Sequence, residues 1–572
     1  MRKALLLFLL LPVALSASLS AQEGSAERTT GEEVEPFRIS RGQSFSASPG
    51  GDSGRSKGAP AFTATQALVD YREALELVLA NHVSGAEADT ARLTKSAIES
   101  MLLTLDPHSN YFDPAEYAEL LSDQHSEYFG IGASIANFGR EGSLATYVVS
   151  TFEGSPAHRA GLRFGDRIVA IDGKDVRGRD SLVVRNLVRG PVGSEVTISA
   201  ERAGSHSLIT VKLRRTRVPQ PSIPDFYMVN GTVGYVDLSA GFNYTTSEEL
   251  DVALRELSRK GMRSLILDLR DNTGGILEQA VHVAGKFLPK GTKILSQKGR
   301  LEFDNREWSS RSRTELSFPL IVLVNEDTAS ASEIVAGALQ DHDRALIVGD
   351  RTFGKGLVQS VIDLPYGAGL TLTTAKYYTP SGRLIQRDYS NVGLYDYYNH
   401  KSILTEGQEQ RYLKKTAGGR PVFGGDGIRP DEVVKAESLN AARAALLDPI
   451  FLFSRELAAG YLPGLGAYKI SDQVHYSGAG TDREFEITAD VHKAFREYAA
   501  TLGDPILTAS VLEREEEFIS ERLRFNLYSA AYGNVVANRV LNSGDPQILK
   551  ALDLFPKARQ LASRLNPGSA NK

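Results

Sequence analysis

The spacing of apolar positions changes several times along the chain. Between residues 62 and 121, Leu68, Tyr71, Leu75, Val78 and Leu79, then Ile98, Met101, Leu102 and Leu105, recur at the interval of one helix face. A small helical segment ending at Asp106-Pro107 is predicted. From about 124 to 217 the pattern shortens to alternating runs at 145–150, 167–171 and 195–200, separated by glycine-rich turns. That pattern predicts a compact, strand-rich module. From 231 to about 435, apolar runs at 234–238, 264–269, 320–324 and 345–348 interleave with helical patterns at 248–260, 276–288 and 332–340, as in an α/β core. Beyond 437 the chain reads as mostly helical and charged, most clearly at 512–527.

The two ends of the pattern need composition to be read. Arg2 and Lys3, an apolar run at 4–15 and small residues at 16–21 have the layout of a secretory signal peptide, and the run is shorter than a bilayer span. Residues 22–61 are rich in Gly, Ser, Glu and Arg and carry too little apolar surface to offset ordering, so a flexible linker is expected. The expected division is therefore 1–21 signal peptide, 22–61 linker, 62–123 helical segment, 124–217 strand-rich module, 218–436 α/β core and 437–572 helical region. A formal charge of -5 gives no global field toward nucleic acid or anionic lipid, and no membrane association is indicated beyond the signal segment. The absence of cysteine excludes disulfides, a thiolate nucleophile and cysteine metal ligation. Export to a bacterial periplasm or envelope is the expectation.

Candidate chemistry concentrates in the core. At 322–337 a buried strand gives way to small residues and then to a helix, with Ser330 at the junction. Free N–H groups and the helix dipole there favour developing negative charge, which suits a nucleophile; a serine at a helix start is equally the mark of an N-cap. At 349–359 Lys355 stands between two glycines just after an apolar run. A lysine can act as general base only if desolvation brings its pKa from about 10.4 toward 7 or 8. The alternative is an exposed turn. The GxxxxGK[ST] spacing of a phosphate loop is absent, and none of the ten histidines has a convincing partner pattern: His342 follows the Ser330 helix alone and His108 lies in a structural-looking Asp-Pro-His turn. No HExxH or comparable metal cluster exists, and no cofactor is expected.

These segments, with Leu-Asp-Leu-Arg-Asp-Asn-Thr-Gly-Gly at 267–275, Thr-Thr-Ala-Lys-Tyr-Tyr-Thr-Pro-Ser-Gly-Arg at 373–383, Leu-Asp-Pro-His-Ser-Asn-Tyr at 105–111 and Gly-Ile-Arg-Pro-Asp at 427–431, resemble the carboxyl-terminal processing peptidases, or tail-specific proteases. The likeness spans about 66–435. It implies a crotonase-like (ClpP/crotonase-type) α/β core in which Ser330 is the acylating nucleophile, Lys355 the general base and Gln359 the side chain orienting the lysine amine. It implies an oxyanion site made by the backbone N–H of Ala331 and of Gly274 or Gly275. Thr273 departs from the proline usual before that glycine pair.

Phe129, Gly130, Ile131, Gly132 and Ala133, together with Gly-Asp-Arg-Ile-Val-Ala-Ile-Asp-Gly at 165–173, resemble an inserted PDZ domain. The glycine loop would offer N–H groups to a chain-terminal carboxylate, and an adjoining strand edge would add the substrate as an extra strand. Arg189 matches a position that in some relatives couples the PDZ domain to the active site. The expected function is ATP-independent endoproteolysis of proteins with apolar C-terminal tails; a catalytically silent PDZ adaptor is the competing reading. A homo-oligomer or an adaptor protein is left open as a further partner.

Overall fold

The computed structural model describes residues 63–565 except 140–143, 206, 313–315, 391, 400–403, 438, 471–473 and 477–483. The expected signal peptide and linker lie outside the described residues.

The chain is built around a six-stranded sheet in the order Asp225–Met228, Val233–Asp237, Ser264–Asp268, Leu320–Val324, Leu346–Gly349, Glu432–Val433. The first pair is antiparallel and the others run parallel, with Leu267 opposite Val322 and Val322 opposite Ile347. Covered parallel strands need apolar residues on both faces, which is why these segments read as unbroken runs. On one face Leu265, Leu267 and Val322 pack against Leu250 and Leu257 of Thr246–Arg259, Val283 of Leu277–Lys286 and Val335 of Ala331–Asp341. On the other, Tyr235, Ile266 and Ile321 meet Ile548, Ala551 and Phe555 of the last helix, Pro546–Leu565. Burying each large aliphatic side chain there contributes about 1.5–3 kcal/mol, and Leu267→Ala would remove about 2–5 kcal/mol.

A second sheet leans over the first. It runs Asn110–Phe112, Gly369–Tyr378, Lys293–Gly299, Arg306–Ser309, with Leu357–Asp363 also paired to Gly369–Tyr378. The N-terminal segment is thus not purely helical and does not end at Pro107. After Ala64–Asn81 and Thr90–Leu103 it supplies strand Asn110–Phe112 to this sheet and a third helix, Pro114–Gln124. That helix starts on a capping box: Asp113 accepts the N–H groups of Ala115 and Glu116, and Glu116 returns to the Asp113 N–H. Helix Ala64–Asn81 buries none of its residues.

The strand-rich module folds as an antiparallel sheet, Ala133–Phe138, Ala145–Thr151, Arg167–Ile171, Glu195–Glu201, Ile209–Arg214, around helix Ser181–Val188 and a small core containing Ile131, Val148, Val184 and Ile198. Ala133–Phe138 is the outer strand on the path, so one of its edges is open to pairing. Strands Glu127–Gly130 and Thr216–Pro219 pair as the two-stranded neck of the module. The C-terminal helices form their own core of Phe453, Phe495, Leu523 and Leu527. They touch the module through Phe451, stacked on Phe138 at 3.6 Å between ring centroids, and Arg455, which donates to the Gly165 carbonyl at 2.6 Å. Among the described residues no helix is long and apolar enough to cross a membrane.

Candidate active site

Strand Leu320–Val324 ends in a loop locked from several sides. The Thr328 hydroxyl donates to the Leu269 carbonyl (2.9 Å) and the Ala329 N–H to the Asn272 carbonyl (2.9 Å). The chain then enters Ser330 at φ 56°, the left-handed region that a residue with a Cβ adopts only when its surroundings impose it. Helix Ala331–Asp341 follows, every residue buried.

Burial of the helix brings the acidic side chain of Glu333 wholly inside. Its Oε2 accepts the backbone N–H of both Ser330 and Lys355, each at 2.9 Å, and its Oε1 accepts the Thr352 hydroxyl (2.5 Å) and the Gly354 N–H (2.8 Å). Burial pushes this carboxyl above its ordinary value while the four donors pull it down. One carboxylate therefore ties the Ser330 turn to the Lys355 turn. On the other side of the same junction the Tyr377 hydroxyl lies 3.0 Å from the Ser330 carbonyl oxygen and 2.8 Å from that of Lys355.

Lys355 owes its glycine neighbours to packing, since a Cβ on Gly354 would meet the Gly427 nitrogen at 2.9 Å and one on Gly356 the Gln386 nitrogen at 2.9 Å. Burial pushes the Lys355 ammonium down to about 8, with the negative charges of Asp106 and Glu333 pulling the other way. Its Nζ donates to Gln359 Oε1 at 2.8 Å, and Gln359 Nε2 in turn donates to the His108 carbonyl. The Asp-Pro-His turn is thus the wall behind the lysine. Asp106 holds that turn by accepting the N–H groups of His108 and Ser109, both at 2.8 Å. His108 Nε2 lies 2.7 Å from the Tyr397 hydroxyl, and burial with the nearby Lys355 charge takes its pKa down to about 3. His342 is bonded to the Lys293 carbonyl at 2.7 Å.

Gly274 meets Ser330 directly, and Gly275 meets Phe242. A Cβ on Gly274 would lie 2.8 Å from Ser330 Cβ and 3.0 Å from the Ala331 nitrogen, and one on Gly275 would fall on the Phe242 carbonyl. Only glycine fits either position, both of which also have positive φ. Gly274 donates its N–H to Asn272 Oδ1 at 2.9 Å, so that donor is engaged. The N–H groups of Gly275 and Ala331 make no hydrogen bond among the described residues. Of the two glycines, Gly274 has its N–H engaged by Asn272 and Gly275 does not.

In the module, Phe129, Gly130, Ile131, Gly132 and Ala133 form the turn into the outer strand, with Gly130, Ile131 and Gly132 buried. The Ile131 carbonyl accepts from Ala157 N–H (2.8 Å), and that of Gly132 from Phe152 N–H (3.0 Å) and the Ser155 hydroxyl (2.9 Å). The Tyr128 ring folds back against Gly130, with its hydroxyl facing the N–H groups of Gly132 and Ala133. Arg189 caps helix Ser181–Val188, pairs with Glu119 of helix Pro114–Gln124 and lies 5.2 Å from the Tyr128 ring centroid. It contacts the N-terminal segment and the neck.

Residues 232–392 match peptidase family S41 and residues 148–202 a PDZ domain. The carboxy-terminal-processing protease of Bartonella bacilliformis is 39% identical over 304 residues, covering 52% of this chain and 68% of its own. The carboxy-terminal processing protease CtpA of Bacillus subtilis is 32% identical over 305 residues, 53% of this chain and 63% of its own. A solved photosystem II D1 C-terminal processing protease aligns over 65% of this chain and 94% of its own at 29% identity, with a TM-score of 0.34. The fold and these matches define a mixed α/β serine peptidase carrying a PDZ domain. Within that class the chain belongs to the carboxyl-terminal processing proteases.

Proposed function

We propose that this protein is an exported, ATP-independent endopeptidase with a crotonase-type core, working in a bacterial envelope, which grips apolar C-terminal tails in its PDZ domain and cleaves with a Ser330/Lys355 dyad. The observation that carries the reading is a lysine whose ammonium is brought down to about 8 and aimed by Gln359, on a turn bonded through Glu333 to a serine at a helix start. Neutral Lys355 takes the Ser330 hydroxyl proton as Oγ bonds the scissile carbonyl carbon. The resulting oxyanion is met by the N–H groups of Ala331 and Gly275, whose bonds strengthen as charge develops. The lysine ammonium then gives its proton to the departing amine as the C–N bond breaks, leaving an acyl-enzyme. Water repeats the sequence in reverse roles: Lys355 accepts its proton, and the Ser330 oxygen leaves with that proton.

The module's shape supports tail recognition. The turn at 129–133 offers N–H groups to the terminal carboxylate, and the open edge of Ala133–Phe138 pairs with the tail as an added strand beside helix Ser181–Val188. The test is cleavage of an unfolded reporter with an apolar C-terminal tail. Wild type is expected to cut, and Ser330→Ala or Lys355→Ala to lose activity by about 10⁴-fold or more. Tail binding by wild type without any cutting would replace this reading with that of an adaptor.

A further inference from the structure

The turn that presents Gly275 is anchored at one end by a residue whose partners lie far along the chain. Arg270 lies two residues beyond the end of strand Ser264–Asp268 and is 8% exposed, so its guanidinium has to be paired. Asp268 takes one edge of it: Nε lies 2.9 Å from Oδ1 and Nη2 2.7 Å from Oδ2. The remaining Nη1 donates to Asp545 Oδ2 at 2.8 Å and to Gln547 Oε1 at 2.7 Å, both at the start of helix Pro546–Leu565.

Neither partner is a loose surface group. Asp545 Oδ1 caps the helix by accepting the Gln547 N–H at 2.8 Å and the Ile548 N–H at 3.3 Å. Gln547 Nε2 donates to the Val434 carbonyl at 2.6 Å. The helix behind them lies on the sheet through Ile548, Ala551 and Phe555. Arg270 is thus gripped by a rigid element of the C-terminal region.

What Arg270 holds is the entry to the catalytic turn. The next residue, Asp271, has φ 62°, a conformation that persists in a residue with a Cβ only where its neighbours fix it. On its other side Asn325 bonds the Asp271 N–H (2.9 Å) and donates to its Oδ1 (2.7 Å), and Asn272 donates to the Leu238 carbonyl (2.6 Å). Two of the anchors come from the peptidase core and the third from residues 545 and 547.

We propose that Asp545 and Gln547 are positioning residues of the active site, holding the turn at 271–275 through Arg270, so that the C-terminal region completes the peptidase rather than only covering its sheet. The inference rests on the reading that this turn supplies an oxyanion donor. Displacement of such a donor by about 1 Å is expected to cost about 10²-fold in rate.

The experiment uses the full chain and measures kcat and KM on the tailed reporter, together with amide hydrogen exchange across 269–276, for Asp545→Ala, Asp545→Asn, Gln547→Ala and Phe555→Ala. Phe555→Ala is the structural control, because it thins the same helix contact without touching Arg270. Asp545→Ala is expected to lower kcat per folded chain by about 10- to 100-fold with KM within about twofold, and to speed exchange in the turn. Asp545→Asn, which keeps an acceptor oxygen, should fall between it and wild type, and Phe555→Ala should lower thermal stability at near-normal kcat. If Asp545→Ala does not fold, Gln547→Ala carries the test with the same signs and a smaller effect. Unchanged exchange in the turn, or losses in kcat that simply follow thermal stability across all variants, would overturn the proposal. Faster exchange with unchanged kcat would overturn it too and would place the fault in the assignment of the oxyanion donor.

Discussion

Two glycine turns in this molecule, one proposed as an oxyanion site and the other as the docking site for a tail carboxylate, are held in different ways. The turn at 271–275 is anchored by side-chain bonds to distant segments: Asn272 on the Leu238 carbonyl, Asn325 on Asp271 and Arg270 on Asp545. The turn at 129–133 is held by backbone bonds to its own module and the Ser155 hydroxyl, with Tyr128 folded across it. The difference matches the two proposed tasks. A donor that stabilises charge in a transition state has to be in place before the charge exists, so movement there subtracts directly from rate. A docking turn must admit and release many tails, and a lightly held turn opens at smaller free-energy cost. Substitutions in the first turn should therefore show in kcat, and substitutions in the second in tail affinity.

The largest effect that could break this comparison is at Gly275. A methyl group there meets the Phe242 carbonyl, so Gly275→Ala should shift the proposed donor and lower kcat by about 10²- to 10³-fold in single-turnover assays. A change confined to KM would mean that the turn binds rather than catalyses. Next in size is the pH dependence. The base works only when neutral, so kcat/KM should fall about tenfold for each pH unit below the Lys355 value of about 8 and level off above it. His108, taken down to about 3, stays neutral across that range, so no second limb near 6.5 is expected. Because Asp106 pulls the Lys355 pKa upward, Asp106→Asn should move the inflection to lower pH. An inflection that stays in place would remove Asp106 from the lysine's surroundings. Arg189→Ala, which cuts the tie from the module to Glu119, should lower turnover of a tailed protein several-fold with the fold intact, as read by circular dichroism.

How much of this was legible beforehand depended on whether the signal was local. The core strands were, because covered parallel strands must be apolar on both faces, and so were Ser330 at a strand-to-helix junction and Lys355 between glycines. Helix Pro114–Gln124 was missed although Asp113, Pro114 and Glu116 spell a helix start. Glu333 was also within reach, as the fourth residue of a Ser-x-x-Glu spacing, but that pattern marks an ordinary cap and says nothing of Thr352, Gly354 or Lys355 on its far side. Strand Asn110–Phe112 has only three residues and finds its partner in Gly369–Tyr378, and Arg270 finds Asp545 275 residues on. No periodicity along a chain encodes pairings at that distance.

The smallest effect gives the sharpest view of the docking turn. The Tyr128 hydroxyl faces the N–H groups of Gly132 and Ala133, the same groups that the proposed terminal carboxylate would need, and burial pushes its pKa up to about 12, so it stays neutral. A neutral hydroxyl is a weaker acceptor than a carboxylate, so a tail can displace it, but the bonds lost on displacement subtract from affinity. Removing the hydroxyl in Tyr128→Phe leaves the ring against Gly130 and frees the donors, and tail-peptide affinity measured by fluorescence anisotropy should rise about 2- to 10-fold, the worth of one net hydrogen bond. kcat on an untailed peptide should not change, since the catalytic turn is anchored elsewhere. If affinity instead falls, the hydroxyl shapes the turn rather than occupying it, and the docking turn would be preorganised by its own side chain much as the catalytic turn is by Asn272.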